Sequence, residues 1–214
     1  MPKTVLPAHQ ARSRQSLERL IKAATEVLEK HGLEGATIPR IAARAGLSPG
    51  TVYRRFPDKD ALLREVCTRL FQESYEKGKE KLKPELWKDV PLPEMSCRLI
   101  AGIIQGQRMH RGLLQALFLF ILQHHDAAFY RKGIELQSRV FRQIGELLLT
   151  RKNEIRHPDP EVAVHFGMLM VAFVVQGVFT MHDPGKLSLF MPGAEENLEK
   201  ELPRVFLRYL GLKE

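Results

Sequence analysis

The sequence predicts an all-α fold in which a small N-terminal group of helices precedes a larger helical region. Three observations support this prediction. Apolar residues recur three and four positions apart along most of the chain. Stretches of alternating apolar and polar residues, which indicate strands, are almost absent. Gly, Pro and small polar residues interrupt the helical pattern at defined points, so that separate helices can be assigned in order.

The composition is that of a globular protein with an excess of positive charge. Of 214 residues, 44% are hydrophobic and 27% are charged, and the net charge is +8. Residues 1–60 carry 11 Lys and Arg against 6 Asp and Glu, which makes them the most basic part of the chain. An excess of this kind suits an anionic partner. Two cysteines cannot form a disulfide framework and the N-terminus lacks an apolar signal-peptide core, so we predict a cytoplasmic protein.

The first helix is expected to follow a flexible arm. Residues 1–13 contain two prolines and show no periodicity, whereas an apolar stripe begins after Arg14. Gly32, in the stretch KHG, is suited to the left-handed conformation that ends a helix. The stripe consists of Leu17, Leu20, Ile21, Ala24, Val27 and Leu28.

Two short helices follow, separated by the stretch AGLS. Thr37 can cap the N-terminus of the second helix, and Gly46 can end it. Ser48 can cap the third helix, with Pro49 at the first helical position, where its missing N–H is not needed.

A fourth helix is predicted from Lys59 to about Tyr75, with Asp58 as its N-cap. Pro203 is expected to kink or restart the last helix. The apolar tract from Val162 to Met181 is interrupted by His165 and Gln176, so no membrane span is predicted. The larger region is predicted to contain helices near 94–109, 111–124, 127–151, 160–181 and 195–212.

The second and third helices have the spacing of a helix-turn-helix. In such a unit the later helix presents its N-terminal residues to the major groove of DNA, and the small residues from Ser48 to Thr51 allow close approach. The stretch ATIPRIAARAGLSPGTVYRRFPDKDALL resembles the signature of the TetR (tetracycline-repressor) family of transcriptional regulators, within a match covering roughly residues 14–64. The agreeing positions are Thr37, Ile41, Ala42, Ala45, Gly46, Ser48, Gly50, Thr51, Tyr53, Phe56, Lys59 and Leu62.

The resemblance implies roles for individual residues. Thr37 and Tyr53 would contact phosphates, and Lys59 would anchor the DNA backbone. Thr51 would touch a base edge or a thymine methyl group. Arg54, where His or Tyr is frequent, would strengthen phosphate contact. The implied DNA-binding set is Thr37, Arg40, Ser48, Pro49, Gly50, Thr51, Tyr53, Arg54 and Lys59.

Several of these side chains have simpler interpretations. Tyr53 can be a core residue, Arg55 can be solvated, and Phe56 is expected to pack beneath the helix-turn-helix. The spacing itself can serve protein contacts instead of DNA. The basic charge of the segment, together with the whole motif, favours double-stranded DNA.

The resemblance implies that residues 59–214 bind a small effector and form a homodimer, while residues 14–58 bind a palindromic operator. The tract 160–181 has no polar face and must be covered on both sides, by its own core and by a partner, or by a large monomeric core. The expected dimer interface comprises Phe166, Leu169, Phe173, Leu202, Phe206 and Tyr209. The candidate effector pocket comprises Gln105, Gln115, Phe118, His124, His165 and Gln176, each of which can also be an ordinary core residue.

Nothing in the sequence indicates a metal site or a cofactor, since His124 and His125 are adjacent and point about 100° apart on a helix. Cys67 lies on an apolar stripe, where a buried, inert thiol is expected and a redox sensor is the alternative. We therefore predict a regulator that is most simply a repressor and not an enzyme. The alternatives are a ligand-independent architectural DNA-binding protein and a helical enzyme, although no nucleophile–base pair stands out.

Overall fold

The computed structural model describes residues 8–123, 127–180 and 192–212, and within these ranges it contains helices and no strand. The all-α prediction is confirmed. The helices are α1 (Ala8–Gly35), α2 (Ile38–Ala45), α3 (Pro49–Tyr53), α4 (Lys59–Lys81), α5 (Leu92–Met109), α6 (Arg111–Gln123), α7 (Ala127–Leu149), α8 (Pro160–Thr180) and α9 (Ala194–Tyr209), with short 3₁₀ helices at Pro84–Leu86 and Lys152–Glu154.

The last five helices agree with the predicted ranges to within three residues at either end, but α1 and α4 are longer than predicted. Helix α1 begins at Ala8, inside the expected arm 1–13, because residues 8–13 contain no proline and include good helix formers. Helix α4 continues past Tyr75 without an apolar stripe. Ion pairs along its polar end, such as Glu76–Lys79 at 3.0 Å, favour the helical conformation there.

Gly32 interrupts α1 as the sequence predicts, although the backbone is not left-handed helical there. Its φ of 66° lies in the region that favours glycine, while its ψ of −173° is extended. The chain then makes a further helical turn before α1 ends at Gly35. Gly32 therefore breaks the helix without ending it.

The described residues divide into two compact units. The first contains the chain up to Leu70 together with residues 112–129, and the second contains residues 71–111 and those from 130 onward. This division differs from the predicted 14–58 and 59–214, because α6 packs with the N-terminal helices and α4 crosses the boundary. The core of the first unit includes Leu20, Ala24, Leu28, Ile41, Val52, Leu62, Leu63, Val66, Leu113, Leu117 and Phe120.

The core of the second unit is formed by α5, α7, α8 and α9, and α5, α8 and α9 pack against one another. Helix α9 runs through Pro203, so the expected restart at this proline does not occur. Gly167 of α8 lies against Phe206 of α9, where an added Cβ would be 2.6 Å from Phe206 Cε2. The core includes Leu92, Leu99, Ile104, Ile144, Leu148, Val164, Met168, Val171, Val175, Phe179, Leu202 and Phe206.

Among the described residues, α8 alone has the length and hydropathy of a membrane-crossing helix. A core helix of a soluble protein can have the same properties, and 39% of the most apolar window of α8 is buried within the structure. The buried side contributes Val164, Met168, Val171 and Val175 to the core of the second unit. The opposite side carries exposed apolar residues, described below.

Candidate functional site

Helix α3 is short, its N-terminal end (the tip) is capped, and its polar side faces solvent. Ser48 Oγ accepts a hydrogen bond from the Thr51 N–H at 3.2 Å, which confirms the predicted N-cap. Val52 is fully buried, whereas Pro49, Gly50 and Tyr53 are exposed, with Tyr53 at 53%. Burial of Val52 fixes which side of α3 faces outward, so Tyr53 is not a core residue.

The turn between α2 and α3 has the geometry that the sequence predicts. Gly46 is left-handed, with φ 66° and ψ 38°. Its N–H and that of Leu47 donate to carbonyl groups near the end of α2, with Leu47 N bonding Ala42 O at 2.9 Å. Asp58 Oδ1 accepts from the Ala61 N–H at 2.7 Å, which confirms the predicted cap of α4. The bonds of Gly46 and Leu47 hold the turn between α2 and α3.

Arg54, directly after α3, folds back along that helix. Its Nη2 donates to Thr51 Oγ1 at 3.1 Å, and Thr51 Oγ1 lies 2.9 Å from Ser48 Oγ. Ser48, Thr51 and Arg54 therefore form one hydrogen-bonded chain at the tip.

The other predicted cations, Arg40 and Lys59, have partners in the last residues of α1, next to its connection with α2. Thr37 caps α2 by accepting from Arg40 N at 3.4 Å, and Arg40 Nη1 donates to Gly35 O at 2.6 Å. The half-buried Lys59 donates its Nζ hydrogen to Leu33 O at 2.8 Å. Their contacts with DNA remain predictions, and the structure adds a second role, which is to hold this connection in place.

Of the long-range polar bonds in the first unit that the sequence did not predict, three join α1 to Arg55, to α2 and to α6. Arg55 Nη2 donates to Ser13 O at 3.0 Å and to Ser13 Oγ at 2.7 Å, so Arg55 is not merely solvated. Arg44 pairs with Glu26 at 2.5 Å. No sequence signal could have found these pairs, since their members lie 42 and 18 positions apart.

The third missed bond joins α1 to the start of α6. The Glu29 carboxylate accepts from the N–H groups of Gly112 and Leu113, both at 3.0 Å, and so caps α6. A Cβ on Gly112 would lie 2.1 Å from the main-chain oxygen of Glu29, so a glycine is needed at this contact. An anionic side chain at a helix N-terminus is favoured by the free N–H groups and the helix dipole.

The predicted effector-pocket residues are divided between the two units, and their role stays a prediction. Gln115 and Phe118 belong to the first unit, whereas Gln105, His165 and Gln176 belong to the second. Gln105 is exposed and donates to Glu199 at 3.1 Å, and the exposed His165 places Nδ1 2.8 Å from Glu161 O. Gln115, Phe118 and Gln176 are half-buried, and His124 lies outside the described residues.

A surface depression of about 210 Å³ lies in the first unit, and none of the predicted pocket residues lines it. It is open to solvent, and its charged residues include an ion pair, Arg44 with Glu26. Its lining consists of Arg19, Lys22, Ala23, Glu26, Arg44 and Ala45.

Helix α8 presents an apolar face to solvent in the second unit. Its exposed members are Val162, Phe166, Leu169, Phe173 and Val174, with Phe173 at 71%. These residues recur about one helical turn apart and therefore form a continuous stripe. An exposed apolar surface of this kind indicates an association site.

The predicted dimer-interface residues separate into two groups. Phe166, Leu169 and Phe173 lie on the exposed stripe, whereas Leu202 and Phe206 are buried in the core of the second unit. The prediction for the latter two is corrected, because the face of α9 that carries them packs against α5 and α8. Tyr209 is half-buried, and its ring centroid lies 5.7 Å from that of Phe166.

No group of three or more His, Cys, Asp or Glu residues with metal-binding geometry occurs within the ranges that the structure describes. Burial raises the pKa of the Cys67 thiol to about 12. The thiol is therefore protonated at neutral pH and is a poor nucleophile, which favours the structural interpretation of Cys67 over a redox sensor.

The fold and the tip of α3 define the class of protein: a helix-turn-helix unit attached to a second helical unit. Residues 20–66 match the family model of bacterial regulatory proteins of the TetR family. The chain is 28% identical over 92 residues to the uncharacterized HTH-type transcriptional regulator YhgD of Bacillus subtilis. That match covers 43% of this chain and 46% of YhgD, so it spans less than half of either protein.

Solved structures extend the likeness in fold to most of the chain. A TetR-family regulator from Mesorhizobium loti shares 21% identity with a TM-score of 0.64, covering 92% of this chain and 97% of that one. FadR from Bacillus subtilis, solved in complex with stearoyl-CoA, shares 17% identity with a TM-score of 0.64, covering 88% of this chain and 96% of that one. Residues 20–66 are therefore a helix-turn-helix segment of the TetR type, and the fold of most of the chain is similar to that of solved TetR-family regulators.

Proposed function

We propose that this protein is a dimeric, sequence-specific DNA-binding regulator of transcription, most simply a repressor that a small effector releases from a palindromic operator. The observation that carries this proposal is the tip of α3, a capped helix with small exposed residues at its start and Tyr53 and Arg54 beside them. Such a tip fits the major groove of double-stranded DNA, where the N-terminal residues of a recognition helix meet the base edges. The protein would act in the cytoplasm, where bacterial DNA lies.

Phosphate contacts would fix the protein on the duplex. Thr37 at the start of α2 and the exposed hydroxyl of Tyr53 are the proposed neutral contacts. Lys59 uses one bond to hold Leu33 O, and an ammonium group has three donors, so it can also meet a phosphate. Arg40 can likewise meet a phosphate, since its bond to Gly35 O uses only one of its five N–H groups.

The exposed stripe of α8 supports association with a second copy of the chain. A two-fold axis would bring the stripe of one protomer onto that of its partner, because a symmetric dimer uses the same surface twice. Gly177 is exposed on α8, and no heavy atom lies within 4 Å of where its Cβ would be, which would permit close approach of the two helices. Two recognition helices related in this way match the two halves of a palindromic operator.

The effector is proposed to be largely apolar. Helices α6 and α8 are rich in Leu, Phe, Val and Met, and FadR of Bacillus subtilis has been solved with stearoyl-CoA. A long-chain acyl-CoA is therefore the first ligand to test. Helix α4 is the proposed lever, since it begins at Lys59 in the first unit and continues past Leu70 into the second. Binding of the effector would shift the population toward dimers whose two recognition helices no longer match the operator.

Selection of bound duplexes from a random-sequence pool tests this function. We expect a palindrome whose half-sites lie about one helical turn apart. Tyr53→Phe should then weaken binding to the selected site and to unrelated DNA by a similar factor, because it removes a phosphate contact. Binding without sequence preference but with steep salt dependence would instead support the architectural alternative. Turnover of a candidate ligand would support an enzyme.

A further inference from the structure

The cations close to α3 differ in what holds them. Four of them bind groups outside α3, and in each case the bond holds the scaffold together. Arg54 differs, because within the described residues its guanidinium is held by Thr51 of α3 itself. The four scaffold bonds are Arg40 to Gly35 O, Arg44 to Glu26, Arg55 to Ser13 and Lys59 to Leu33 O.

The bond to Thr51 leaves the charge and most of the hydrogen-bonding capacity of Arg54 available. Thr51 Oγ1 is a neutral acceptor, so it does not compensate the positive charge. A guanidinium has five N–H donors in a rigid fork, of which this bond uses one. The group can therefore still donate two parallel hydrogen bonds to another partner.

The bond also determines where the guanidinium lies. Arg54 follows the last residue of α3, yet its Nη2 reaches back to Thr51 at the middle of that helix. The hydroxyl of Thr51 in turn lies 2.9 Å from Ser48 Oγ at the N-cap. In a helix-turn-helix this end of the recognition helix faces base edges, whereas residues at the periphery face phosphates.

We infer that Arg54 reads a guanine in the major groove and that Thr51 is the residue that positions it. Guanine offers two acceptors there, O6 and N7, whose spacing matches the guanidinium fork, and this pairing is the commonest specific contact between proteins and DNA. The inference rests on the proposed DNA-binding function and changes the roles of both residues. Arg54 is a specificity determinant and not a phosphate contact, and Thr51 acts through Arg54 and not directly on a base.

The test begins with the duplex selected by the wild-type protein and with its single-base variants. Arg54→Ala should lose the preference for guanine at one position of each half-site, by roughly 10- to 100-fold, and leave the preferences at other positions unchanged. Arg54→Lys should recover only part of that preference, because an ammonium group lacks the fork. Arg55→Ala is the matched control, since it removes the neighbouring charge and should weaken binding to all sequences alike.

A substituted base tests the same contact at the level of atoms. Replacing the required guanine by 7-deazaguanine removes only the N7 acceptor. The wild-type protein should bind this duplex more weakly than the natural one, whereas Arg54→Ala should bind both equally. Equal loss in the two proteins would overturn the inference, as would a selected site with no required guanine or an Arg54→Ala variant that weakens all duplexes by the same factor.

The positioning role of Thr51 is tested by Thr51→Val, which keeps the shape and the methyl group and removes the hydroxyl. We expect a weaker preference for guanine at the position affected by Arg54→Ala, recovery in Thr51→Ser, and an unchanged unfolding midpoint. A wild-type profile, or a change at a different base, would overturn this role. These outcomes differ from a failure of the proposed function itself, in which the wild-type protein would select no preferred sequence.

Discussion

The two units of the molecule differ in the balance of polar and apolar interactions within each of them. In the first unit, directional polar bonds join distant parts of the chain: Arg55 to Ser13, Lys59 to Leu33 O, Arg69 to Glu18, and Glu29 to the start of α6. The second unit also contains such bonds, for example Gln105 to Glu199, but it differs in that α8 continues the apolar character of the core onto the surface.

This difference corresponds to what each unit is proposed to recognise: DNA for the first and a second copy of the chain for the second. Reading base edges requires polar groups at fixed positions, and hydrogen bonds with defined angles supply that order. Association of two copies requires area more than direction, and an apolar stripe supplies it. The predictions below test this contrast, from the largest expected effect to the smallest.

The largest effect is expected on the exposed stripe of α8. Phe173→Asp places a charge where the second copy would pack, and the symmetric dimer contains the change twice. The ring of Phe173 would be buried in the dimer, and its loss alone would weaken association by about 1.5–3 kcal/mol per copy. The dissociation constant should therefore rise by roughly 100-fold or more. Sedimentation equilibrium would measure it.

Leu86→Asp is the control for this change, because Leu86 is also exposed and apolar but belongs to a 3₁₀ helix and not to α8. It should leave the association constant unchanged. If Phe173→Asp remained a dimer, the stripe of α8 would not be the interface, and the contrast between the two units would lose its functional meaning.

A large effect of a different kind is expected at Phe206. Its side chain is fully buried against Gly167, so Phe206→Ala should lower the free energy of unfolding by about 3–5 kcal/mol. Chemical denaturation at several protein concentrations would show the same shift at each, because the loss lies within one protomer. A shift that disappears at low concentration would return Phe206 to the interface. Leu86→Ala, at an exposed position, should change stability little.

The smallest effect is expected in the first unit, at the carboxylate that caps α6. Glu29→Gln keeps the size of the side chain but removes its charge, and should lower the free energy of unfolding by about 1 kcal/mol. Glu34→Gln changes an exposed carboxylate of the same helix and serves as the control in the same urea titration. Equal values for the two variants would show that the cap contributes nothing measurable.

Much of the fold could be predicted, because most of its signals are local. The caps at Thr37, Ser48 and Asp58 and the left-handed Gly46 depend on residues no more than a few positions away. The same local signals placed α2 and α3 correctly. The polar end of α4 and the start of α1 lack an apolar stripe, and for that reason their extent was underestimated.

The candidate sites were predictable only in part. The exposed residues of α3 follow from the motif, but the partners of Arg40, Arg55 and Lys59 do not, since they lie on other elements. The predicted pocket stays a prediction, and its residues Gln115 and Gln105, although close in sequence, belong to different units. Proximity in sequence across the junction of α5 and α6 gave no information on packing.

By itself the sequence determined the order of helices, the helix-turn-helix and the identity of the residues at its tip, because turn and cap chemistry acts between near neighbours. It also predicted that α8 would be covered on two sides, since that helix has no polar face. Only the tertiary structure decided which side packs inward, leaving Phe173 exposed while Phe206 is buried. A helix without a polar face carries no signal of orientation, and the packing of α5, α7 and α9 supplies it.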